Sequence, residues 1–281
     1  MGLEKWSVLP LKCEGHIDVH IGRARLMDRR IFSSTLVALG LATVTDAAFG
    51  EEKPLAGANN VVLVHGAYAD GSCWIDVIRL LQDAGLQATA VQNPLTSLAD
   101  DVAATNRILD LQKGPTVLVA HSWGGTVISE AGMHPQVRSL VYIAARAPDA
   151  GEDFAALAKR FPAPPASAGV VHAGGFAQLN EEAFLRDFAG DVPAEKARTL
   201  YAVQGRIGDT LFSGKTKVAA WRRKPTWYAV STEDRTIAPE LQRFLAKRMK
   251  ATTKEIPASH LSPVSHPWEV ANLILAAAGR A

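Results

Sequence analysis

Short extended segments alternate with segments of helical periodicity along most of the chain. β-Branched apolar runs and similar short segments predict strands at 61–64, 87–91, 115–120, 139–144, 226–231 and 253–256. Apolar residues at helical spacing, or capping residues, predict helices at 74–84, 97–112, 124–133, 239–249 and 267–279. Strands that alternate with helices favour an α/β fold with a mostly parallel central sheet, helices on both faces and ligands at the carboxyl ends of the strands.

The segment 146–214 interrupts this alternation. It has helical stretches near 181–189 and 194–204. It also holds six of the nine phenylalanines, namely Phe154, Phe161, Phe176, Phe184, Phe188 and Phe212. The segment is too long for a simple connection and too apolar for a flexible linker. We interpret it as a helical lid inserted between two strands, whose phenylalanines either roof a pocket or attach the lid to the body.

Residues 1–50 have the pattern of a leader. Asp-Arg-Arg-Ile-Phe at 28–32 precedes a weakly apolar stretch and resembles a twin-arginine export signal, and small residues at 47–50 offer cleavage sites. Met27 stands directly before this signal, so the residues ahead of it are interpreted as an over-called start. We expect an α/β domain at 51–281 in a periplasmic or secreted protein. The alternative is a docked N-terminal helix in a cytoplasmic protein.

Composition and charge exclude several classes of function. The 281 residues carry a net charge of +2, which provides no electrostatic surface for nucleic acid. No apolar run approaches the roughly 18 residues of a membrane-spanning helix, so no membrane insertion is predicted. Cys13 and Cys73 are too few for a disulfide framework or a structural zinc site.

The strongest candidate chemistry lies where a predicted strand meets a predicted helix. Ala-His-Ser-Trp-Gly-Gly at 120–125 has the sequence and the context of a nucleophile elbow, a sharp turn that projects a serine hydroxyl above the sheet. The positions two before and two after the serine must be small, and Ala120 and Gly124 meet this requirement. We therefore predict that Ser122 is a nucleophile with a strained backbone at the positive end of the following helix.

A serine hydroxyl requires a base to activate it. His260 follows the last predicted strand, at the end of the sheet where Ser122 is expected. His266 directly precedes the last predicted helix, where an imidazolium would be unfavourable, so His260 is the preferred base. His121 is adjacent to the serine and is expected to point elsewhere.

The base requires an orienting carboxylate in turn. Glu233 and Asp234 follow the strand before that of His260, and the shorter Asp234 is preferred. Asp149 is a third possibility. The chain order Ser122, Asp234, His260 is the order found in α/β-hydrolases and differs from the two common protease orders.

Acyl transfer also requires donors for an oxyanion. One predicted donor is the backbone N–H of Trp123, the residue after the nucleophile. The other should come from the small-residue loop after the first strand, His-Gly-Ala-Tyr-Ala-Asp-Gly at 65–71, and we assign it to Ala67. Backbone donors explain why this loop requires small residues and no particular side chain.

Four motifs together carry a family resemblance. They are Val-Leu-Val-His-Gly-Ala…Gly-Ser-Cys-Trp at 62–74, the elbow at 120–125, Thr-Glu-Asp-Arg-Thr-Ile at 232–237 and Ala-Ser-His-Leu at 258–261. From about residue 60 onward the chain resembles the α/β-hydrolases, in particular the group of plant methyl-ester esterases, hydroxynitrile lyases and bacterial pyrethroid-hydrolase-type esterases. The resemblance implies a triad and an oxyanion hole formed by Ser122, Asp234, His260, Ala67 and Trp123.

Within this group the resemblance favours ester hydrolysis. The hydroxynitrile lyases carry a lysine directly after the histidine and tend to carry a threonine at the position of Ala67, whereas this chain has Leu261 and an alanine. The implied protein is a serine hydrolase of small apolar or aromatic carboxylic esters, without a metal or organic cofactor. A lactonase, a lyase and a ligand-sensing protein are the alternatives on the same fold.

The leader interpretation predicts that the mature protein is exported and begins shortly after one of the small residues at 47–50. N-terminal sequencing of exported protein measures this directly. A terminus at Met1 or Met27 in that material would show that the leader is not a cleaved signal.

Overall fold

The computed structural model describes residues 57–280, and its strands form a large and a small sheet. The strands are β1 Asn60–Val64, β2 Gln87–Val91, β3 Thr116–His121, β4 Val137–Ile143, β5 Val170–Ala173, β6 Phe176–Leu179, β7 Ile207–Gly208, β8 Thr226–Ser231 and β9 Thr252–Ile256. The large sheet has the order β2-β1-β3-β4-β8-β9, and every neighbouring pair in it is parallel. This confirms the predicted fold class. The predicted leader lies outside the described residues.

Burial along the large sheet follows the apolar content of its strands. All residues of β1 and β3 are buried, and in β4 only Arg138 is exposed. The edge strand β9 reads Thr-Thr-Lys-Glu-Ile and is exposed except at Ile256, in keeping with its polar side chains. The central strands thus supply the rigid layer that holds the loops at their carboxyl ends.

Some helices of the same region flank this sheet, and others lie within the segment 146–214. They are α1 Ile75–Asp83, α2 Leu98–Asp110, α3 Gly124–Ala131, α4 Phe154–Ala158, α5 Glu181–Ala183, α6 Ala194–Ala202, α7 Pro239–Arg248, α8 Ser262–Ser265 and α9 Pro267–Ala277. α1 packs against α9, and α2 packs against α3. The five helices predicted for the body are present with ends shifted by at most two residues, whereas the one-turn helix α8 was not predicted.

Local signals at two helix ends account for where those helices begin and stop. Ser97 lies before α2, and its hydroxyl oxygen accepts a hydrogen bond of 3.1 Å from the Asp100 amide. Gly85 follows α1 with a φ of +78°, a conformation that glycine adopts without a steric penalty. Serine and glycine are among the residue types that favour these two positions.

The segment 146–214, which we call the insertion, contains a sheet that sequence analysis missed. Strands β5, β6 and β7 pair antiparallel, and Gly174 and Gly175, both with positive φ, form the turn between β5 and β6. The segment predicted as a helical lid therefore contains helices and, in addition, this small sheet. The strands are short and half-exposed, so they lack the apolar run or the long alternation that identifies a strand in sequence.

Helical turns complete the insertion and attach it to the body. α4, α5, a π-helical turn at Phe184–Phe188 and α6 lie in it. The Leu261 amide donates to the Phe188 carbonyl oxygen at 3.2 Å, and the Ala166 amide donates to the Arg235 carbonyl oxygen at 3.1 Å. The insertion thus contacts the loops that follow β8 and β9. No helix within 57–280 has the length and apolar character needed to span a bilayer.

Candidate active site

The turn between β3 and α3 holds Ser122 in a strained backbone conformation. Its φ is +52°, in the left-handed region that non-glycine residues rarely occupy. The Ser122 amide donates to the Ile143 carbonyl oxygen at 3.2 Å, and the Ser122 carbonyl oxygen accepts from the amides of Gly125 and Arg146, both at 3.0 Å. These bonds fix the residue between β4 and α3, as the predicted elbow requires.

Glycines at the turn allow an unusually close approach of backbones. A Cβ at Gly124 would lie 2.7 Å from the Val64 carbonyl oxygen, and a Cβ at Gly66 would lie 2.6 Å from the Cβ of Ser122. Real Cβ atoms do not approach this closely, so the loop after β1 reaches Ser122 only because residue 66 is glycine. This contact sets the position of Ala67, the next residue in the loop.

His260 and Asp234 form a buried hydrogen-bonded pair. The distance from His260 Nδ1 to Asp234 Oδ2 is 2.7 Å, and neither side chain is exposed to solvent. The carboxylate can only accept, so Nδ1 carries the proton and Nε2 is left with a lone pair. His260 Nε2 is buried and has no hydrogen-bond partner within the described region. The imidazole is therefore oriented as a base that is available to a further group.

Backbone amides and a glutamine hold the Asp234 carboxylate. Its Oδ1 accepts from the amides of Thr236 at 2.7 Å and Ile237 at 2.9 Å, and its Oδ2 also accepts from Gln242 Nε2 at 2.7 Å. Gln242 is buried in α7, and its Oε1 accepts from the Ser231 amide at 3.0 Å. Gln242 thus connects the end of β8 to the carboxylate. Sequence analysis missed it, although an amide on the buried face of an amphipathic helix was the available signal.

His121 fastens the loop of His260 to the strand that leads to Ser122. Its Nε2 donates to the His260 carbonyl oxygen at 2.9 Å, and the two ring centroids are 4.6 Å apart. Burial, with a smaller contribution from His260, holds the pKa of His121 well below its ordinary value. The expectation that His121 points away from the site is therefore wrong. It packs beside the candidate base as a neutral, fully buried ring.

The other candidate acids and bases lie elsewhere. Asp149 pairs with Arg222 near the surface, and the Glu233 side chain is exposed. His266 Nδ1 bonds the Ser265 hydroxyl at 3.0 Å and lies 3.5 Å from Asp191 Oδ2. Asp234 is thus the candidate carboxylate that contacts His260. Ser122, Asp234 and His260 follow β3, β8 and β9, which end at the same edge of the parallel sheet.

The side chain of Trp123 is held in position by a buried carboxylate, which sequence analysis also missed. Asp101, in α2, accepts from Trp123 Nε1 at 2.7 Å and from the Leu95 amide at 2.8 Å. Burial raises the pKa of Asp101, and these two hydrogen bonds offset part of that effect. The indole of Trp123 is thereby fixed directly after the serine. An acidic residue within the apolar stripe of α2 was the signal in the sequence.

The two predicted oxyanion donors line a cavity together with Ser122. The cavity has a volume of about 260 Å³. The N–H groups of Ala67 and Trp123 make no hydrogen bond with any other residue in 57–280. Phe154 and Phe212 from the insertion line the cavity, as expected of phenylalanines that roof a pocket. Phe184 and Phe188 are fully buried, as expected of phenylalanines that attach the lid to the body.

Comparisons with known proteins agree with this architecture. A family model described as the alpha/beta hydrolase family matches residues 61–273, and the chain belongs to this family. The chain is also similar to the carbendazim hydrolyzing esterase of Nocardioides sp. (strain SG-4G), with 33% identity over 131 residues. That match covers 42% of this chain and 53% of the relative, so it spans about half the length of the relative.

Solved structures of low sequence identity share the fold. Polyneuridine aldehyde esterase has a TM-score of 0.68 at 19% identity, covering 78% of this chain and 98% of that one. A pyrethroid hydrolase from Sphingobium faniae JZ-2 has a TM-score of 0.66 at 21% identity, covering 79% and 98%. The methylesterase MES16 from Arabidopsis has a TM-score of 0.65 at 18% identity, covering 78% and 98%.

The low pKa of His121 predicts that acid destabilises the protein through this residue. The unfolded chain takes up a proton at His121 near pH 6.5, whereas the folded protein does so only at much lower pH. The free energy of unfolding should therefore fall as the pH drops below about 6.5, with His121 contributing up to about 1.4 kcal/mol per pH unit.

Urea unfolding of the His121→Gln variant between pH 7.5 and 5 measures this contribution. The variant should show a flatter pH dependence than the wild type. His172→Gln is the matched control for the substitution, because His172 is exposed on the insertion beside Asp209, and it should change the slope less than His121→Gln does. Equal slopes for the wild type and His121→Gln would contradict the assignment.

Proposed function

We propose that the protein is a serine hydrolase that cleaves carboxylic esters through an acyl-enzyme. The observation that carries the proposal is the buried His260 imidazole, oriented by Asp234 at 2.7 Å, with its Nε2 unpartnered in the described region. It lies at the same edge of the sheet as the strained Ser122. The hydrolase and esterase names of the sequence relative and of the structural neighbours support the same reaction class.

In the proposed mechanism, His260 Nε2 accepts the proton of the Ser122 hydroxyl as Oγ attacks the ester carbon. Asp234 keeps Nδ1 protonated and stabilises the imidazolium that forms. The oxyanion of the tetrahedral intermediate accepts hydrogen bonds from the N–H groups of Ala67 and Trp123. The imidazolium then protonates the departing alcohol, and the same histidine activates the water that cleaves the acyl-enzyme.

Two features of the site would favour the transition state over the bound ester. The amides of Ala67 and Trp123 are already fixed and unbonded, so they need no rearrangement when the negative charge develops. Ser122 stands directly ahead of α3, whose N-terminal end also favours negative charge. Removing one such donor typically costs about 2.7–4 kcal/mol of transition-state stabilisation.

The cavity supports small apolar or aromatic esters as the substrate class. Its volume of about 260 Å³ fits an acyl or alcohol group of modest size. The insertion contributes Phe154, Pro162 and Phe212 to its wall, and the body contributes Ile237 and Leu241. Apolar walls with a few polar groups at one end are typical of small-molecule sites.

The proposal predicts that Ser122→Ala lowers kcat for short 4-nitrophenyl esters by a factor on the order of 10⁴ or more, because no nucleophile remains. The melting temperature should stay close to that of the wild type, since the left-handed conformation at residue 122 is retained by the same backbone bonds. The matched control is Ser213→Ala, whose hydroxyl bonds only the Thr210 carbonyl oxygen on the surface and which should keep full activity.

Covalent labelling provides an independent readout of the same claim. A fluorophosphonate probe should attach to the wild type and to Ser213→Ala, but not to Ser122→Ala. Undiminished hydrolysis by folded Ser122→Ala protein would refute the proposed mechanism.

A further inference from the structure

Arg146 lies in the wall of the cavity, directly against the nucleophile turn. Its amide donates to the Ser122 carbonyl oxygen at 3.0 Å, and a Cβ at Gly125 would lie only 2.0 Å from the Arg146 carbonyl oxygen. The backbone of Arg146 is therefore held as firmly as the elbow itself. The residue is 8% exposed and lines the same cavity as Ser122.

Three aromatic rings surround the guanidinium, and no acidic side chain in the described part of the chain forms an ion pair with it. Its carbon Cζ lies 4.3 Å from the ring centroid of Phe154, 5.0 Å from that of Phe212 and 5.1 Å from that of Trp123. Among residues 57–280, no side chain or backbone oxygen accepts a hydrogen bond from this guanidinium, and its Nε is fully buried without a partner. Ring faces attract a cation, but they offer no acceptor for its N–H groups.

The carboxylates nearest in sequence are engaged by other groups. Asp149 pairs with Arg222, and Glu152 pairs with Arg248 at 2.7 Å. Asp153 caps α4 by accepting from the Ala156 amide at 3.0 Å. Arg146 is therefore a buried cation without a charged partner in this part of the chain, which is an arrangement that proteins rarely retain without a ligand.

The guanidinium of Arg146 stays charged at neutral pH. Burial lowers its pKa to about 9, which still leaves the guanidinium protonated at neutral pH. A charged group that has lost its hydration and faces a cavity binds a complementary anion strongly, because little further desolvation is required. The aromatic rings offer no hydrogen-bond acceptor, so the guanidinium keeps N–H groups that are unpaired among residues 57–280 and can donate to a ligand.

We infer that Arg146 binds a carboxylate group of the substrate, so that the preferred esters are half-esters of small dicarboxylic acids. This rests on the proposed ester hydrolysis, and it changes the proposed substrate in one respect: one end of the otherwise apolar ester carries a carboxylate. A planar carboxylate matches the fork of the guanidinium and accepts two parallel hydrogen bonds. The apolar walls would hold the carbon chain between this carboxylate and the ester group at Ser122. Sequence analysis did not single out Arg146, which is only the first residue of the predicted lid.

Isosteric substrates test the inference. Mono-4-nitrophenyl esters of succinate, glutarate and adipate are compared with the same compounds carrying a methyl ester in place of the free carboxylate. The wild type should have a kcat/KM at least about tenfold higher for the acid of optimal length, because only the acid can pair with Arg146. Similar values for the acid and its methyl ester at every length would overturn the inference.

Substitutions of Arg146 test whether this residue causes the preference for the acid over its methyl ester. Arg146→Met should lose about tenfold or more on the acid and change little on the methyl ester, while Arg146→Lys should retain part of the preference. Arg160→Met is the matched control, because Arg160 is exposed on the insertion and should keep the wild-type preference. An equal loss on both substrates in Arg146→Met would assign Arg146 a structural or general electrostatic role and would also overturn the inference.

Binding without turnover separates this inference from the proposed function. Calorimetry on Ser122→Ala protein should detect monomethyl glutarate, and adding Arg146→Met should abolish that binding, whereas adding Arg160→Met should not. If no ester is hydrolysed but this Arg146-dependent binding persists, the anion site stands and the esterase proposal fails. If neutral esters are hydrolysed and the carboxylate ligand does not bind, the esterase stands and the anion site fails. Where Arg146→Met does not fold, Arg146→Lys and the wild-type comparison decide.

Discussion

The left-handed backbone of Ser122 depends on three points of close backbone approach. At Gly66, Gly124 and Gly125 a Cβ would collide with a neighbouring segment of the same chain. β1, β4 and α3 therefore converge on a single residue. The strain at Ser122 is offset by the packing of these buried elements. As a consequence, the serine, the amide of Trp123 and the loop that carries Ala67 are fixed relative to one another before any substrate arrives. Preorganisation of this kind is the main source of oxyanion stabilisation in acyl transfer.

The proposed acid and base, Asp234 and His260, are attached to this turn by buried polar contacts rather than by the elbow itself. His121 donates to the carbonyl oxygen of His260, and Gln242 connects the Ser231 amide to the Asp234 carboxylate. Each of these side chains is fully buried, so losing one hydrogen bond would leave its partner without water as a substitute. The imidazole is therefore aligned by groups at the end of β3, in the loop after β8 and in α7. The insertion adds apolar walls to the cavity. Its first residue, Arg146, adds one charged group to these walls.

The sequence allowed most of the body to be predicted, and the reasons for success and failure are local. The β-branched runs of β1 and β3 and the signals at Ser97 and Gly85 are encoded within a few residues, so the strands and helices could be identified. The hairpin of β5 and β6 could not, because its strands are short and half-exposed. The partners Asp101, Gln242 and His121 were missed for a different reason, because their roles follow from contacts between residues far apart in the chain. The role proposed for Arg146 could be inferred only from the structure, in which its guanidinium has no hydrogen-bond partner among residues 57–280.

A crystal structure of the protein after reaction with a small alkyl fluorophosphonate tests the central claim most directly. The account predicts phosphorus bonded to Ser122 Oγ and the phosphonyl oxygen at roughly 2.7–3.1 Å from the amide nitrogens of both Ala67 and Trp123. His260 Nε2 should then lie within hydrogen-bond reach of Ser122 Oγ or of the leaving-group position. An adduct on another residue, or an oxygen directed away from both amides, would contradict the account.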